Sequence, residues 1–362
     1  MKICFLAHNL RHDNGGGVFS AHIIEAAQAA GAEVVALTTL QSGKPYERPL
    51  FTGGTFALVR DLLRVRAALK EADIVHPLDT YPYGVIAAFA GLGLKKKFII
   101  TAVGTGAIAG LYRWPKSWLM RFAYARADTV VAISTFVRDE IQKRIPHLAI
   151  KVITHGVEYE QFAAPAPEYV PAAAHRPYII SVGSLRWRKG YKFSIRGFAE
   201  IRAQMPSLHY LIVGKRYTEK EFNNLTALIT QLGLQDAVTI LEQVDSAEDM
   251  RALYQGAEAF GLLSQNDDHD VEGFGLVFLE AAAAGLPVVG SSGCGVADAM
   301  ADGINGYLVP PRDTHAFAQA MLKILQTPGL RGKMADASRA FARDNTWDKK
   351  IPQYLALWGL PH

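Results

Sequence analysis

The sequence predicts an α/β protein of two Rossmann-like domains, each a parallel sheet covered by helices. Three observations carry this. Short apolar runs such as KICFLAH, EVVALTT and YIISV alternate with helical stretches along the whole chain. The 362 residues exceed one ordinary domain, and half are hydrophobic, enough to fill two cores. An Ala/Pro-rich stretch from Ala163 to Pro177 carries few apolar anchors and reads as a linker. The expected division is 1–165, 166–345 and a terminal helix over 346–362.

Residues 2–8 form a buried strand, followed by Gly15-Gly16-Gly17, a helix from Val18 to Ala30, and a second strand over 33–39. This βαβ opening has no G-x-G-x-x-G, and Leu37-Thr38-Thr39 offers no ribose-binding acid, so an NAD-linked oxidoreductase is disfavoured. Gly16 and Gly17 are expected to let the backbone approach a donor phosphate or the acceptor, a tight structural turn being the alternative. A basic amphipathic helix over 56–72, a strand over 72–76 and a helix near Tyr83–Gly91 follow. Next come the basic turn Lys95-Lys96-Lys97 and the strand Phe98–Val103, closed by a turn at Gly104-Thr105-Gly106. Residues 111–124 (LYRWPKSWLMRFAY) read as a helix combining Arg113, Lys116 and Arg121 with Trp114, Trp118 and Phe122. Such a helix suits an anionic bilayer, and packing between domains explains it equally. Asp128–Ile133 is a strand, with Ser134 as N-cap of a helix over 135–144.

The second half repeats the pattern. Strand Tyr178–Val182 enters the cationic loop 183–190 (GSLRWRKG). Strand Tyr210–Val213, helix Glu219–Leu232, strand Val238–Leu241, helix Ser246–Gln255 and strand Ala257–Leu263 follow. The run Asp267-Asp268-His269-Asp270 reads as an exposed acidic loop rather than a metal-binding D-x-D.

Charge is uneven: residues 1–165 hold 19 Lys+Arg against 13 Asp+Glu, and the remainder 19 against 21. A basic first half suits a membrane surface or a phosphorylated acceptor, or is plain solubilising charge. Nucleic acid is disfavoured. Two cysteines make no disulfide framework. The chain opens directly on a strand, and no run of about 18 apolar residues follows. The expectation is a cytoplasmic protein, working at the inner face of the membrane if residues 111–124 bind lipid.

The most informative stretch is 270–290 (DVEGFGLVFLEAAAAGLPVVG). Glycines around Phe274 lead into an Ala-rich helix that ends at Gly285-Leu286-Pro287. A glycine-bounded helix start suits a phosphate. Glu272 and Glu280 bracket it, and eight helical residues span about 12 Å. That is beyond the roughly 5–9.5 Å of a glycosidase acid/base pair, and suits groups holding opposite ends of an extended ligand.

Glu272 and Glu280, with Gly273-Phe274-Gly275 between them, resemble the E-x7-E signature of family 4 glycosyltransferases. The tail 293–311 (GCGVADAMADGINGYLVPP) is similar to that family's Gly-Gly-x-x-Asp and Asn-Gly-x-Leu-Val. The resemblance implies a GT-B fold: two Rossmann-like domains facing a cleft, with a last helix crossing back to the first. It implies metal-independent, retaining transfer from a UDP- or GDP-sugar, without a cofactor, to a glycan or lipid-linked acceptor in polysaccharide or lipopolysaccharide synthesis. Lys189 matches the family's diphosphate-clamping lysine; Ser184 stands where its arginine does, leaving Arg186, and less closely Arg188, to substitute. Glu272 would contact the sugar and Glu280 the ribose. The N–H groups of Phe274 to Leu276, with Gly273 and Gly275, would take a phosphate, and the loop at Val244 would seat the base. Val103 occupies the position of a sugar-contacting histidine. A GT-B-shaped binding subunit without catalysis is therefore the competing reading.

Overall fold

The computed structural model describes residues 1–11, 14–51, 57–165, 177–244, 246–267 and 270–361. Most of the expected linker and Asp268-His269 lie outside them. The chain forms two compact units: Met1–His155 with Trp347–His362, and Gly156–Thr346.

Unit 1 is one seven-stranded parallel sheet. In chain order it comprises β1 (Lys2–Ala7), α1 (Gly15–Ala29), β2 (Glu33–Thr38), β3 (Glu47–Pro49), α2 (Ala57–Glu71) and β4 (Ile74–Pro77). Then follow α3 (Val85–Ala90), β5 (Lys97–Ala102), α4 (Gly104–Ile108), α5 (Lys116–Arg126), β6 (Thr129–Ala132), α6 (Thr135–Gln142) and β7 (Ile150–Val152). The sheet order is β3-β2-β1-β4-β5-β6-β7. Ile3, Cys4, Phe5 and Leu6 are fully buried, as a strand covered on both faces requires.

Helix α1 begins three residues before the expected Val18. Asn14 caps it, its side chain accepting from the Gly17 N–H at 2.8 Å. A Cβ on Gly17 would stand 2.0 Å from the Arg11 carbonyl oxygen, so this glycine serves packing. Gly104-Thr105-Gly106 is not a turn but the start of α4. The stretch 111–124 is not one helix either: a short 3₁₀ turn ends at Tyr112 and α5 starts after Pro115. Proline lacks the N–H that would continue the helix.

Unit 2 opens with α7 (Tyr159–Ala163). It continues as β8 (Tyr178–Val182), α8 (Tyr191–Gln204), β9 (His209–Val213), α9 (Glu219–Gln231), β10 (Val238–Leu241), α10 (Ala247–Gln255) and β11 (Ala259–Leu262). It closes with α11 (Leu276–Ala283), β12 (Val288–Ser291), β13 (Gly306–Val309), α12 (Thr314–Gln326) and α13 (Leu330–Asp344). Its six-stranded parallel sheet runs β10-β9-β8-β11-β12-β13. The unit begins ten residues before the expected 165/166 boundary, because α7 packs on α10. Phe162 meets Tyr254 edge-on at 5.6 Å, and Gln255 Nε2 donates to the Phe162 and Ala164 carbonyls at 2.7 Å.

The last helix, α14 (Trp347–Trp358), belongs to unit 1. Trp358 Nε1 donates to His76 Nδ1 at 3.1 Å, which leaves Nε2 to donate to Thr101 Oγ1 at 2.8 Å. Burial drives the His76 pKa down to about 3, so the ring is neutral and this tautomer fixed. Trp347 stacks on His22 at 4.7 Å. Lys97 Nζ donates to the Leu357 carbonyl at 2.6 Å, and Lys96 Nζ to the Lys70 carbonyl at 2.8 Å. Two lysines of the basic turn thus satisfy carbonyls near helix C-termini.

Candidate active site

The site of unit 2 is built where the loop after β8 meets the loop after β11. Gly190, with φ +67°, turns the first loop into α8; a Cβ there would stand 1.8 Å from the Leu263 carbonyl oxygen, so only glycine lets the loops touch. This approach buries Lys189 beside Glu272, Nζ to Oε2 at 2.7 Å. Arg188 Nη1 lies 3.3 Å from Glu272 Oε1, and Ser264 Oγ donates to Oε2 at 3.3 Å. The Glu272 backbone is fixed on both sides. Its N–H donates to Asn266 Oδ1 at 2.8 Å, and its carbonyl accepts from the Gly295 N–H at 2.9 Å. Burial alone would raise the Glu272 pKa, but Lys189 and Arg188 outweigh it and hold the carboxyl at about 2. Glu272 is a carboxylate throughout the physiological range.

Arg186 and Arg188 share Asp270, at 3.3 and 3.2 Å. Arg188, the less favoured substitute for the missing arginine, is the one on Glu272. Among the described residues Arg186 reaches the cluster through Asp270, and it stacks on Tyr217 at 4.2 Å. Ser184 lies half-buried in the same loop, and Val244 half-buried after β10.

Helix α11 starts on Gly275 at φ +87°, without a side-chain cap. Its first N–H groups and positive dipole end therefore suit an anion. Gly273 and Phe274 precede it, Leu276 opens it, and a Cβ on Gly275 would press on Val296 and Phe278 at about 3.0–3.1 Å. One helical span on, Glu280 accepts from Tyr254 Oη at 2.9 Å. Burial raises the Glu280 pKa, opposed by that hydrogen bond and by Lys189. Unit 2 thus unites Lys189, Arg186, Ser184, Glu272, Gly275, Leu276 and Glu280 in one domain, whereas Gly16 and Gly17 belong to unit 1. Tyr254, Ser264 and Asn266 escaped the sequence reading. They sit 6–26 residues from their partners, in no motif. Among the described residues no group of three or more His, Cys, Asp or Glu could hold a metal ion.

Two family models match: "Glycosyl transferases group 1" over residues 168–341 and "Glycosyltransferase Family 4" over 13–161. The chain belongs to the family 4 glycosyltransferases. This glycosyltransferase is 28% identical to a GDP-mannose-dependent α-(1-6)-phosphatidylinositol monomannoside mannosyltransferase of Mycolicibacterium smegmatis, over 78% of this chain and 76% of the relative. It is also 28% identical to a glycogen synthase of Mycobacterium tuberculosis, over 88% and 84%. Among solved structures, Anabaena HepE in complex with UDP superposes with a TM-score of 0.81 at 17% identity, over 99% of this chain and all of that one. The glycosyltransferase fold is GT-B.

Proposed function

We propose that this glycosyltransferase moves a glycosyl group from a nucleotide diphosphate sugar to an acceptor hydroxyl, with retention. The observation that carries the reading is the buried Lys189–Glu272 pair beside the uncapped start of α11. Lys189 and Arg188 supply fixed positive charge where charge grows on a departing diphosphate, and the α11 N–H groups take its oxygens. Glu272, held ionised, accepts hydrogen bonds from sugar hydroxyls and orients the ring. Glu280 takes the ribose diol. Positioning and leaving-group stabilisation carry the reaction without a protein nucleophile. The nucleotide–sugar relatives support this donor class.

No metal ion is required on this reading, because lysine and arginine replace it. Purified protein with labelled UDP- and GDP-sugars should turn over one of them in EDTA. Turnover abolished by EDTA and restored by magnesium or manganese would overturn the metal-free mechanism.

The acceptor is lipid-linked or a glycan, and the enzyme works at an anionic membrane. Residues 80–127 of unit 1 carry seven Lys and Arg and no Asp or Glu. On this segment Trp114 is 86% and Trp118 58% exposed, Trp118 stacking on Phe122 at 6.1 Å. Exposed tryptophans among cations match an anionic interface. Among the described residues no helix is long and apolar enough to cross a membrane. Each cation near such a surface contributes about 1 kcal/mol, fading with salt. Replacing Arg113, Lys116 and Arg121 with Glu should sharply reduce sedimentation with anionic liposomes. Equal sedimentation of variant and wild type would leave a soluble acceptor.

A further inference from the structure

Among the described residues one position other than glycine has its backbone in the left-handed region: Arg312, at φ +68°. A Cβ there crowds the following carbonyl, so a residue with a side chain keeps this conformation only where its surroundings impose it. They do so here. Arg312 lies between β13 and α12, where the Asp313 N–H donates to the Pro310 carbonyl at 3.2 Å. The Asp313 side chain then caps α12, accepting from the Ala316 N–H at 2.8 Å. Glycine would take this turn freely; what it would lack is the side chain.

That side chain reaches loop 183–190, which carries Lys189, by two routes. Arg312 Nε donates to Gln265 Oε1 at 3.0 Å, and the Gln265 N–H donates to the Arg188 carbonyl at 2.7 Å. The guanidinium also lies 5.9 Å from the centre of the Trp187 ring. Gln265 is 1% exposed, and its Nε2 has no hydrogen-bond partner among the described residues. Arginine only donates, so Arg312 decides which way the amide is turned. The amide nitrogen is then the atom set beside Gly190, 3.0 Å from where a Cβ would stand. The loop is thus tied from the segment after β13 as well as by its contact with Leu263.

We propose that Arg312 is a positioning residue for the donor site. Through Gln265 and Trp187 it holds loop 183–190 so that Lys189 stays on Glu272, and the strained backbone is tolerated for that contact. It acts through these neighbours and takes no part in the chemistry. This deepens the transfer reading above and rests on it. A purely structural arginine would move stability and nucleotide binding together; a strained positioning one moves them in opposite directions.

Arg312→Gly in the full-length protein removes strain and contact at once. Its Tm should rise. Calorimetry with UDP and GDP should show the tighter of the two weakened at least threefold, and hydrogen exchange across 183–190 should quicken. Gln265→Met, which keeps the bulk and drops the acceptor, should weaken the same nucleotide. Both changes break one link, so the double variant should bind within twofold of the weaker single one. A Tm that rises with affinity and loop exchange unchanged overturns the proposal. So does a Tm that falls together with affinity, or a double variant weakened by the product of the two single effects. Binding of neither nucleotide by wild type overturns the donor reading instead, and loop exchange then decides on Arg312 alone.

Discussion

Lys189→Ala lowers kcat by roughly a hundred- to a thousandfold, the cost of removing one preorganised donor from a developing negative charge. The pair it breaks is buried on both sides, Lys189 at 8% and Glu272 at 6% exposure. Orphaning a buried charge costs about 3–5 kcal/mol. Arg188, still 3.3 Å from Glu272, limits the loss to about 1–3 kcal/mol. The variant therefore folds, and activity and stability separate. The pH dependence follows from the Glu272 pKa, lowered from 4.5 to about 2. Because the folded value lies below the unfolded one, this stabilisation is present above pH 4.5 and is lost as pH falls toward 2. In Lys189→Ala the carboxyl titrates higher, and the loss begins at higher pH. Steady-state kinetics and urea denaturation across pH read both effects. Turnover within threefold of wild type would remove Lys189 from the reaction.

Glu280→Gln weakens the free nucleotide by about 1.5–3 kcal/mol, roughly ten- to more than a hundredfold in Kd. The ribose diol loses a charged acceptor, and glutamine offers one neutral oxygen. The Glu280 pKa is raised, and a diol donating two hydrogen bonds favours the ionised form. Nucleotide affinity should therefore rise with pH through the Glu280 titration and level above it, a dependence that Glu280→Gln abolishes. Calorimetry at several pH values checks this; unchanged affinity would exclude Glu280 from the site.

Much of this was legible in the chain. Strand–helix alternation placed both sheets, and Ser134 caps the helix that follows it, as a short hydroxyl side chain does. The EGFG stretch sets Glu272, Gly275 and Glu280 on one loop and one helix, a local arrangement that the spacing alone gives. Where tertiary packing decides, spacing was silent. Gly104-Thr105-Gly106 suits a turn or a helix, and the half-buried Asp79 packed against Gly106 goes with the helix. Arg186 matched the family position better, but the approach of the Gly190 loop to Leu263 brings Arg188 onto Glu272. Tyr254 precedes Glu280 by 26 residues, and only the packing of α10 on the sheet joins them.

The central claim is that the Lys189–Glu272 bridge and the start of α11 form the donor site. Crystals soaked with UDP- and GDP-sugars test it most directly. The account predicts diphosphate oxygens within hydrogen-bond reach of Lys189 Nζ and the α11 N–H groups, with the sugar on Glu272 and the ribose on Glu280. A nucleotide bound away from Lys189, or one leaving the Lys189–Glu272 pair and α11 untouched, would contradict it.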